Sequence, residues 1–107
     1  MAQTTVLAAG TTGANSDDIA VGTTPLTVAL FSGETDQHMD RIKCSIYQKD
    51  VNDNYFPYTA QLGFHQIRNP IILTNTQRQW TFNQPGTYRV VRPACTSSVG
   101  IQTDDGT

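Results

Sequence analysis

Carboxylate and amide oxygens alternate along one short polar stretch, as they do at the start of a calcium-binding loop. Asp50, Asn52 and Asn54 supply these oxygens. An EF-hand loop also needs glycine at its sixth position and a bidentate glutamate at its twelfth. Because Tyr55 and Gln61 stand at those positions, the sequence excludes an EF-hand. A solvated hairpin turn is favoured, with a looser cation site as the alternative.

The histidines and cysteines are the next candidates for metal or nucleophile chemistry. A metal site needs three or four converging ligands, and no spacing pairs His38 or His65 with such a set. Cys44 falls on the apolar face of a predicted strand, where a thiol is inert. Cys44 and Cys95 are too far apart for a CxxC motif, so we expect two small buried thiols, with a disulfide as the alternative. We expect no metal and no cofactor.

Other catalytic arrangements have little support in the sequence. The chain has no GxSxG motif, which would present a nucleophilic serine. Paired carboxylates would have to come from Asp36, Asp40, Asp50 or Asp53. All of these lie in predicted turns, where aspartate is common because it bonds to its own backbone. We therefore expect no catalytic residues and no enzymatic activity.

Aromatic and arginine side chains are stronger candidates, and they point to binding. Arg89 and Arg92 flank apolar strand residues, so they could pair with carboxylates across a subunit contact or line a solvated strand face. The aromatic side chains could pack in the core, contact another protein or stack on a sugar. These aromatic residues are Tyr47, Tyr55, Phe56, Tyr58, Phe64 and Trp80.

The charge balance restricts the partners. The formal net charge is −2, and the arginines are scattered, whereas a nucleic-acid binder needs a basic stripe. No polybasic anchor or long apolar segment is visible, so we expect no membrane partner. The N-terminus lacks the features of a signal peptide, and we expect synthesis in the cytoplasm.

The elements that would position these residues are strands. Apolar and polar residues alternate over 26–31, 42–47 and 87–92, and glycines and prolines punctuate the intervening turns. Threonine is frequent and glutamate occurs once, at Glu34, which disfavours helices. The pattern predicts an all-β chain, an antiparallel β-sandwich or jelly roll of about eight short strands.

The predicted domain organisation has three parts. Residues 1–15 are rich in small residues, and we expect a flexible N-terminal arm. Residues 16–103 form one β-sandwich domain, since the length suits a single core. We expect residues 104–107 to form a disordered tail.

Two parts of the chain resemble a known class. TTVLAAG at 4–10 with SDDIAV at 16–21 and PLTVALF at 25–31 form the first, and PGTYRVVRP at 85–93 with SVGI at 98–101 form the second. Together they resemble small proteins of tailed bacteriophages that are encoded among head-assembly genes. Such proteins act as capsid decoration or cement proteins, often as β-sandwich or jelly-roll trimers on the outer shell.

The resemblance implies a virion structural protein on the outer capsid surface, bound to the major capsid protein and to copies of itself as a homotrimer. No site residues carry over from it. An arm that orders on contact, and strand edges that pair across subunits, would supply the contacts. Deleting 1–10 is then expected to leave a folded domain that no longer binds its shell. The interface candidates are Thr4, Thr5, Val6, Leu7, Tyr55, Phe56, Tyr58, Arg89 and Arg92.

Two other functions stay open. One is a tail- or fibre-associated adhesion module that binds host glycan through the aromatic residues at 55–58 and Trp80. The other, with less support, is a small hydrolase.

Overall fold

The computed structural model describes residues 3–32, 42–60 and 69–105, and these residues form strands and turns without a helix. It therefore contains no described helix that could cross a membrane. The strands are β1 Gln3–Gly10, β2 Ala14–Asn15, β3 Ile19–Val21, β4 Leu26–Ser32, β5 Lys43–Lys49, β6 Tyr55–Pro57, β7 Thr59–Ala60, β8 Asn69–Pro70, β9 Ile72–Thr74, β10 Gln79–Phe82, β11 Gly86–Arg92 and β12 Val99–Asp104. The predicted all-β class is confirmed.

Two antiparallel sheets hold most of these strands. The first sheet has the order β1-β12-β4-β10. The second has the order β2-β11-β5-β6, with β3 also paired to β11 and β9 also paired to β5. β7 and β8 pair with each other in a small separate hairpin.

The strand order is that of a jelly roll. β2 and β3 pair with successive parts of one edge of β11, and β6 and β9 with successive parts of one edge of β5. Counting each such pair as one position leaves eight positions, four in each sheet. When the eight positions are numbered along the chain, their spatial order is 1-8-3-6 across the first sheet and 2-7-4-5 across the second. This is the double-sheet arrangement of two Greek keys, and it agrees with the predicted count of about eight strands.

The core lies between the sheets and follows from alternation along β4, β5 and β11. Side chains alternate between the two faces of a strand, and one face of each of these strands is buried. Phe82 of the first sheet stacks on Tyr88 of the second, with ring centres 4.1 Å apart. The buried apolar residues are Ile19, Val21, Val28, Leu30, Ile42, Cys44, Ile46, Ile71, Leu73, Phe82, Tyr88, Val90, Val99 and Ile101.

The chain termini correct the predicted domain organisation. β1 pairs with β12 from Gln3 opposite Asp104 to Gly10 opposite Val99, so residues 3–10 belong to the first sheet and are not a flexible arm. Asp104 is the last residue of β12, so it does not begin a disordered tail. Residues 4–9 are compatible with either a short strand or an arm from the sequence alone, because an edge strand built of small residues and broken by bulges shows no clean alternation.

Candidate interaction surface

The outer face of the second sheet carries a group of polar and aromatic side chains that contact one another. Cys44 and Ile46 of β5 and Val90 of β11 face the core, so their neighbours along each strand face outward. Arg89 lies opposite Tyr47 in the ladder, and Tyr55 of β6 lies opposite Lys49. We call this surface the cationic face, and it comprises Asp18, Lys43, Tyr47, Lys49, Tyr55 and Arg89.

Tyr55 is the centre of the cationic face. Its hydroxyl donates a hydrogen bond to Oδ1 of Asp18, which precedes β3. The Nζ of Lys49 donates to Oδ2 of the same carboxylate at 3.2 Å. The guanidinium carbon of Arg89 lies 3.7 Å from the centre of the Tyr55 ring, in a cation–π contact. The phenol therefore reaches across the sheet from β6 to the start of β3, and it holds Arg89 in one orientation.

The electrostatics of the face follow from the Asp18 contacts. The hydrogen bond from Tyr55 lowers the pKa of Asp18, and the ammonium of Lys49 lowers it further. The same carboxylate raises the pKa of Lys49 and that of Tyr55. Asp18 is exposed and Lys49 and Tyr55 are half-buried, so water screens much of their attraction and the pairs mainly set geometry. Asp18 thus accepts hydrogen bonds from Tyr55 and Lys49 and is also attracted to Arg89, but Arg89 has no directly paired carboxylate among the described residues.

A depression of about 630 Å³ borders the cationic face where β5 turns into β6. Val51 at the hairpin tip is 97% exposed, and Phe56, a predicted interface residue, is 43% exposed. Lys49 belongs both to this depression and to the cationic face. The full lining is Gln48, Lys49, Asp50, Val51, Asp53, Phe56, Gly86 and Thr87. An exposed ring beside amide and carboxylate groups gives the depression both apolar and hydrogen-bonding character.

The polar stretch at 50–54 is the expected hairpin turn. Oδ1 of Asp50 accepts hydrogen bonds from the backbone N–H groups of Asn52 and Asn54, both at 2.9 Å. Asp53 has φ 65°, a left-handed conformation that aspartate tolerates. The Asp50 side chain therefore stabilises the turn through its backbone hydrogen bonds. Among the described residues, no cluster of three metal-ligating side chains is present.

Arg92 was predicted to lie at an interface, and that prediction is wrong. The residue is only 4% exposed. Its Nε donates to the carbonyl of Thr12 at 2.8 Å, and its Nη1 donates to the carbonyls of Ala8 at 2.9 Å and Val99 at 2.6 Å. Arg92 shares the inward parity of Tyr88 and Val90 on β11, which is the sequence signal that could have identified it as an interior residue.

Tyr58 and Trp80 lie within an aromatic cluster and do not form an outward platform. The Tyr58 ring meets Trp80 at 6.2 Å, Phe82 at 5.6 Å and Tyr88 at 5.3 Å between centres, each with edge-to-face geometry. Both residues pack against the core. The proposed stacking of sugars on these two rings is therefore not supported by their placement, and Tyr58 is not on the cationic face.

The four N-terminal interface candidates lie on β1. Thr4 and Thr5 are exposed, whereas Val6 and Leu7 pack against the core. The carbonyl of Val6 accepts a hydrogen bond of 2.8 Å from the N–H of Asp17. The free edge of β1 is therefore already hydrogen-bonded within the chain at Val6. A strand from another subunit could not pair with the whole length of this edge.

The thiols are both free, as expected. Cys44 is buried, and burial raises its pKa to about 12. Cys95 is half-buried, and its thiol donates to the carbonyl of Ser97 at 3.2 Å. The candidates His38, His65, Asp36, Asp40 and Phe64 lie outside the described residues.

The cationic face unites three residues that the sequence did not single out for binding with three that it did, of which Tyr47 was a candidate only as one of the aromatic side chains. Tyr55 and Arg89 were expected at an interface. Asp18, Lys43 and Lys49 were not, because the pairing of β3, β11, β5 and β6 alone brings them together. Strict outward alternation along β5 was the available signal for the two lysines.

Comparisons with known proteins bear on the fold. No protein-family model and no curated protein matches the chain. Among solved structures, the crystal structure of SPBc2 prophage-derived protein YomS matches with a TM-score of 0.67 and 16% sequence identity. The match covers 95% of this chain and 88% of that one. Nearly the whole chain therefore shares its fold with a protein described as prophage-derived.

Proposed function

We propose that this chain is a structural protein of a tailed-phage virion, a capsid decoration protein that binds the outer surface of the head and stabilises it. The observation that carries the proposal is the jelly roll shared, over 95% of this chain, with a prophage-derived protein. Double-sheet jelly rolls are a common architecture of viral capsid proteins. The resemblance of 4–31 and 85–101 to phage head-assembly proteins points the same way.

The proposed role is binding and not catalysis. The partners are the major capsid protein and copies of this chain, arranged as a homotrimer, and the role requires no cofactor, nucleic acid or membrane. The cationic face and the neighbouring depression support such a role, because tyrosine and arginine are enriched at protein interfaces.

The test uses heads of a phage that encodes this chain, purified from a mutant that lacks its gene. We expect the added protein to co-sediment with these heads at saturable stoichiometry and to raise the temperature at which they release DNA. Light scattering on the free protein would give its oligomeric state. Heads that neither retain the protein nor gain stability would contradict the decoration role.

A glycan-binding adhesion module is the second candidate, and the depression beside Phe56 is the observation that favours it. An exposed aromatic ring can stack on a sugar while Gln48 and Asp53 hydrogen-bond its hydroxyls. Retention on a glycan array that is lost in Phe56→Ala, with the fold preserved, would support this function. Val51→Ala is the matched control, since it trims the same rim without removing a ring.

A further inference from the structure

We infer that the cationic face is the docking surface for an acidic surface of a protein partner. The inference rests on the proposed function, because it names the face and the partner chemistry through which the chain would bind a shell.

Of the five lysine and arginine residues in the described part of the chain, three lie on one face. Lys43, Lys49 and Arg89 all lie on the cationic face, whereas the formal net charge of the whole chain is −2. Asp18 is the one carboxylate within this group, and it is bonded to Lys49 and Tyr55. Neither Lys43 nor Arg89 forms an ion pair within the described part of the chain. Their charges are complementary to a surface that carries carboxylates.

The face is already organised for binding. The Tyr55 ring holds the Arg89 guanidinium at 3.7 Å, and Asp18 holds the Tyr55 hydroxyl. A guanidinium held in one orientation loses less entropy when it pairs with a carboxylate. Tyr47 and Pro57, which are opposite each other in the ladder, add aromatic and apolar surface beside these charges.

A protein fits this face better than a nucleic acid does. Binding of a phosphate backbone needs cations without intervening anions, and here Asp18 lies among the cations. A protein interface instead combines an apolar centre with charged residues at its rim. The depression with Val51 and Phe56 adjoins the cationic face at Lys49, and it offers space for an apolar side chain of the partner beside Asp50 and Asp53.

The test measures binding to two probes, poly-L-glutamate and the heads described above. Amide chemical shifts on titration with poly-L-glutamate at low salt should change along β5, β11 and the segment around Asp18. Arg89→Gln and Lys43→Gln should each weaken binding by about tenfold, and added salt should weaken it further. Asp18→Asn removes the carboxylate from the face and should strengthen binding by about threefold.

Gln79→Glu is the matched control, because it also changes the net charge by one negative unit but lies exposed on β10 of the first sheet. Its binding should stay within about twofold of the natural sequence. Equal losses in Gln79→Glu and Arg89→Gln, or shift changes confined to another face, would overturn the inference. So would tighter binding to a DNA duplex than to poly-L-glutamate of equal charge.

The two proposals fail separately. If heads bind the protein and Arg89→Gln and Lys43→Gln bind equally well, the docking face is wrong and the decoration role stands. If heads do not bind while the cationic face binds poly-L-glutamate as expected, the decoration role is wrong and the face still recognises acidic surfaces. Thermal unfolding of each variant would confirm that the fold is kept.

Discussion

The Nη1 of Arg92, on β11 of the second sheet, donates a hydrogen bond of 2.9 Å to the carbonyl oxygen of Ala8, on β1 of the first sheet. The same nitrogen donates to the carbonyl of Val99 on β12 at 2.6 Å. One buried guanidinium thus links the sheets at one side of the sandwich. The donors of this buried charged group are satisfied there by backbone carbonyl oxygens.

Arg92 is therefore expected to stabilise the fold. Arg92→Met should lower the free energy of unfolding by about 3 kcal/mol or more, because it leaves the carbonyls of Ala8, Thr12 and Val99 without their donor. Urea denaturation is the measurement. Arg89→Met on the outer face is the control and should cost less than about 1 kcal/mol. Equal losses for the two substitutions would show that burial of Arg92 contributes little.

Removal of residues 1–10 should destabilise the domain. The truncation deletes β1, exposes the edge of β12 and removes the Ala8 acceptor of Arg92. We expect circular dichroism to show loss of a cooperative thermal transition. Removal of 1–5 is the control, because it keeps Val6 and Leu7 in contact with the core and should leave a cooperative transition. A fully stable 11–107 fragment would instead support a flexible N-terminal arm that the fold does not need.

Phe31 and Gly100 are expected to be energetically coupled. They lie opposite each other on β4 and β12, and a Cβ at position 100 would come within 2.7 Å of ring atoms Cε1 and Cε2 of Phe31. Gly100→Ala should lower the free energy of unfolding by about 1–2 kcal/mol, because the new methyl group would displace the Phe31 ring from its position over residue 100. In the Phe31→Ala background the same substitution should cost almost nothing. Additive effects in this double-mutant cycle would contradict the coupling.

Cys44 should make stability fall at alkaline pH. Its folded pKa of about 12 lies above the usual value of 9.0, because burial disfavours the thiolate. The unfolded thiol therefore ionises first, and the stability present below pH 9 is lost progressively as the pH rises from 9 toward 12. Cys44→Ala should show a shallower decline of unfolding free energy over this range. An unchanged slope would show that the thiol does not contribute.

Alkylation gives an independent test of the same burial. Iodoacetamide at mildly alkaline pH should modify the half-buried Cys95 before Cys44 in the folded protein, as read by mass spectrometry. In urea both thiols should react at similar rates, because the protection of Cys44 comes from burial in the fold. Rapid modification of Cys44 in the folded state would contradict that placement.

The pKa of Asp18 should depend chiefly on Tyr55. The hydrogen bond from the phenol is the largest single cause of its lowered pKa, and the hydrogen bond and the charge of Lys49 are each a smaller cause. Tyr55→Phe should therefore raise the Asp18 pKa toward its usual value, as measured by NMR titration of the carboxyl carbon. Lys49→Met, the comparison variant, should raise it by less. A larger effect of Lys49→Met would reverse this order of causes.

Several features of the fold could be predicted because their causes are local. Apolar residues that alternate along β4, β5 and β11 bury one face of each strand, whatever its neighbours are. The Asp50 turn follows from a side chain that bonds to backbone groups two and four residues later. The candidate site was harder to predict. Alternation shows which residues of a strand face outward, but it does not show which strands are neighbours in the sheet.

Local residue patterns were enough to predict an all-β chain of about eight strand positions and a solvated hairpin turn at 50–54. The folded chain was needed to show that β1 completes a sheet, that Arg92 lies inside, and that Tyr55 meets Asp18 at a separation of 37 residues. The physical reason is that backbone alternation is set by neighbouring residues, whereas strand order depends on contacts between distant segments. The cationic face exists because that order places β3, β11, β5 and β6 side by side.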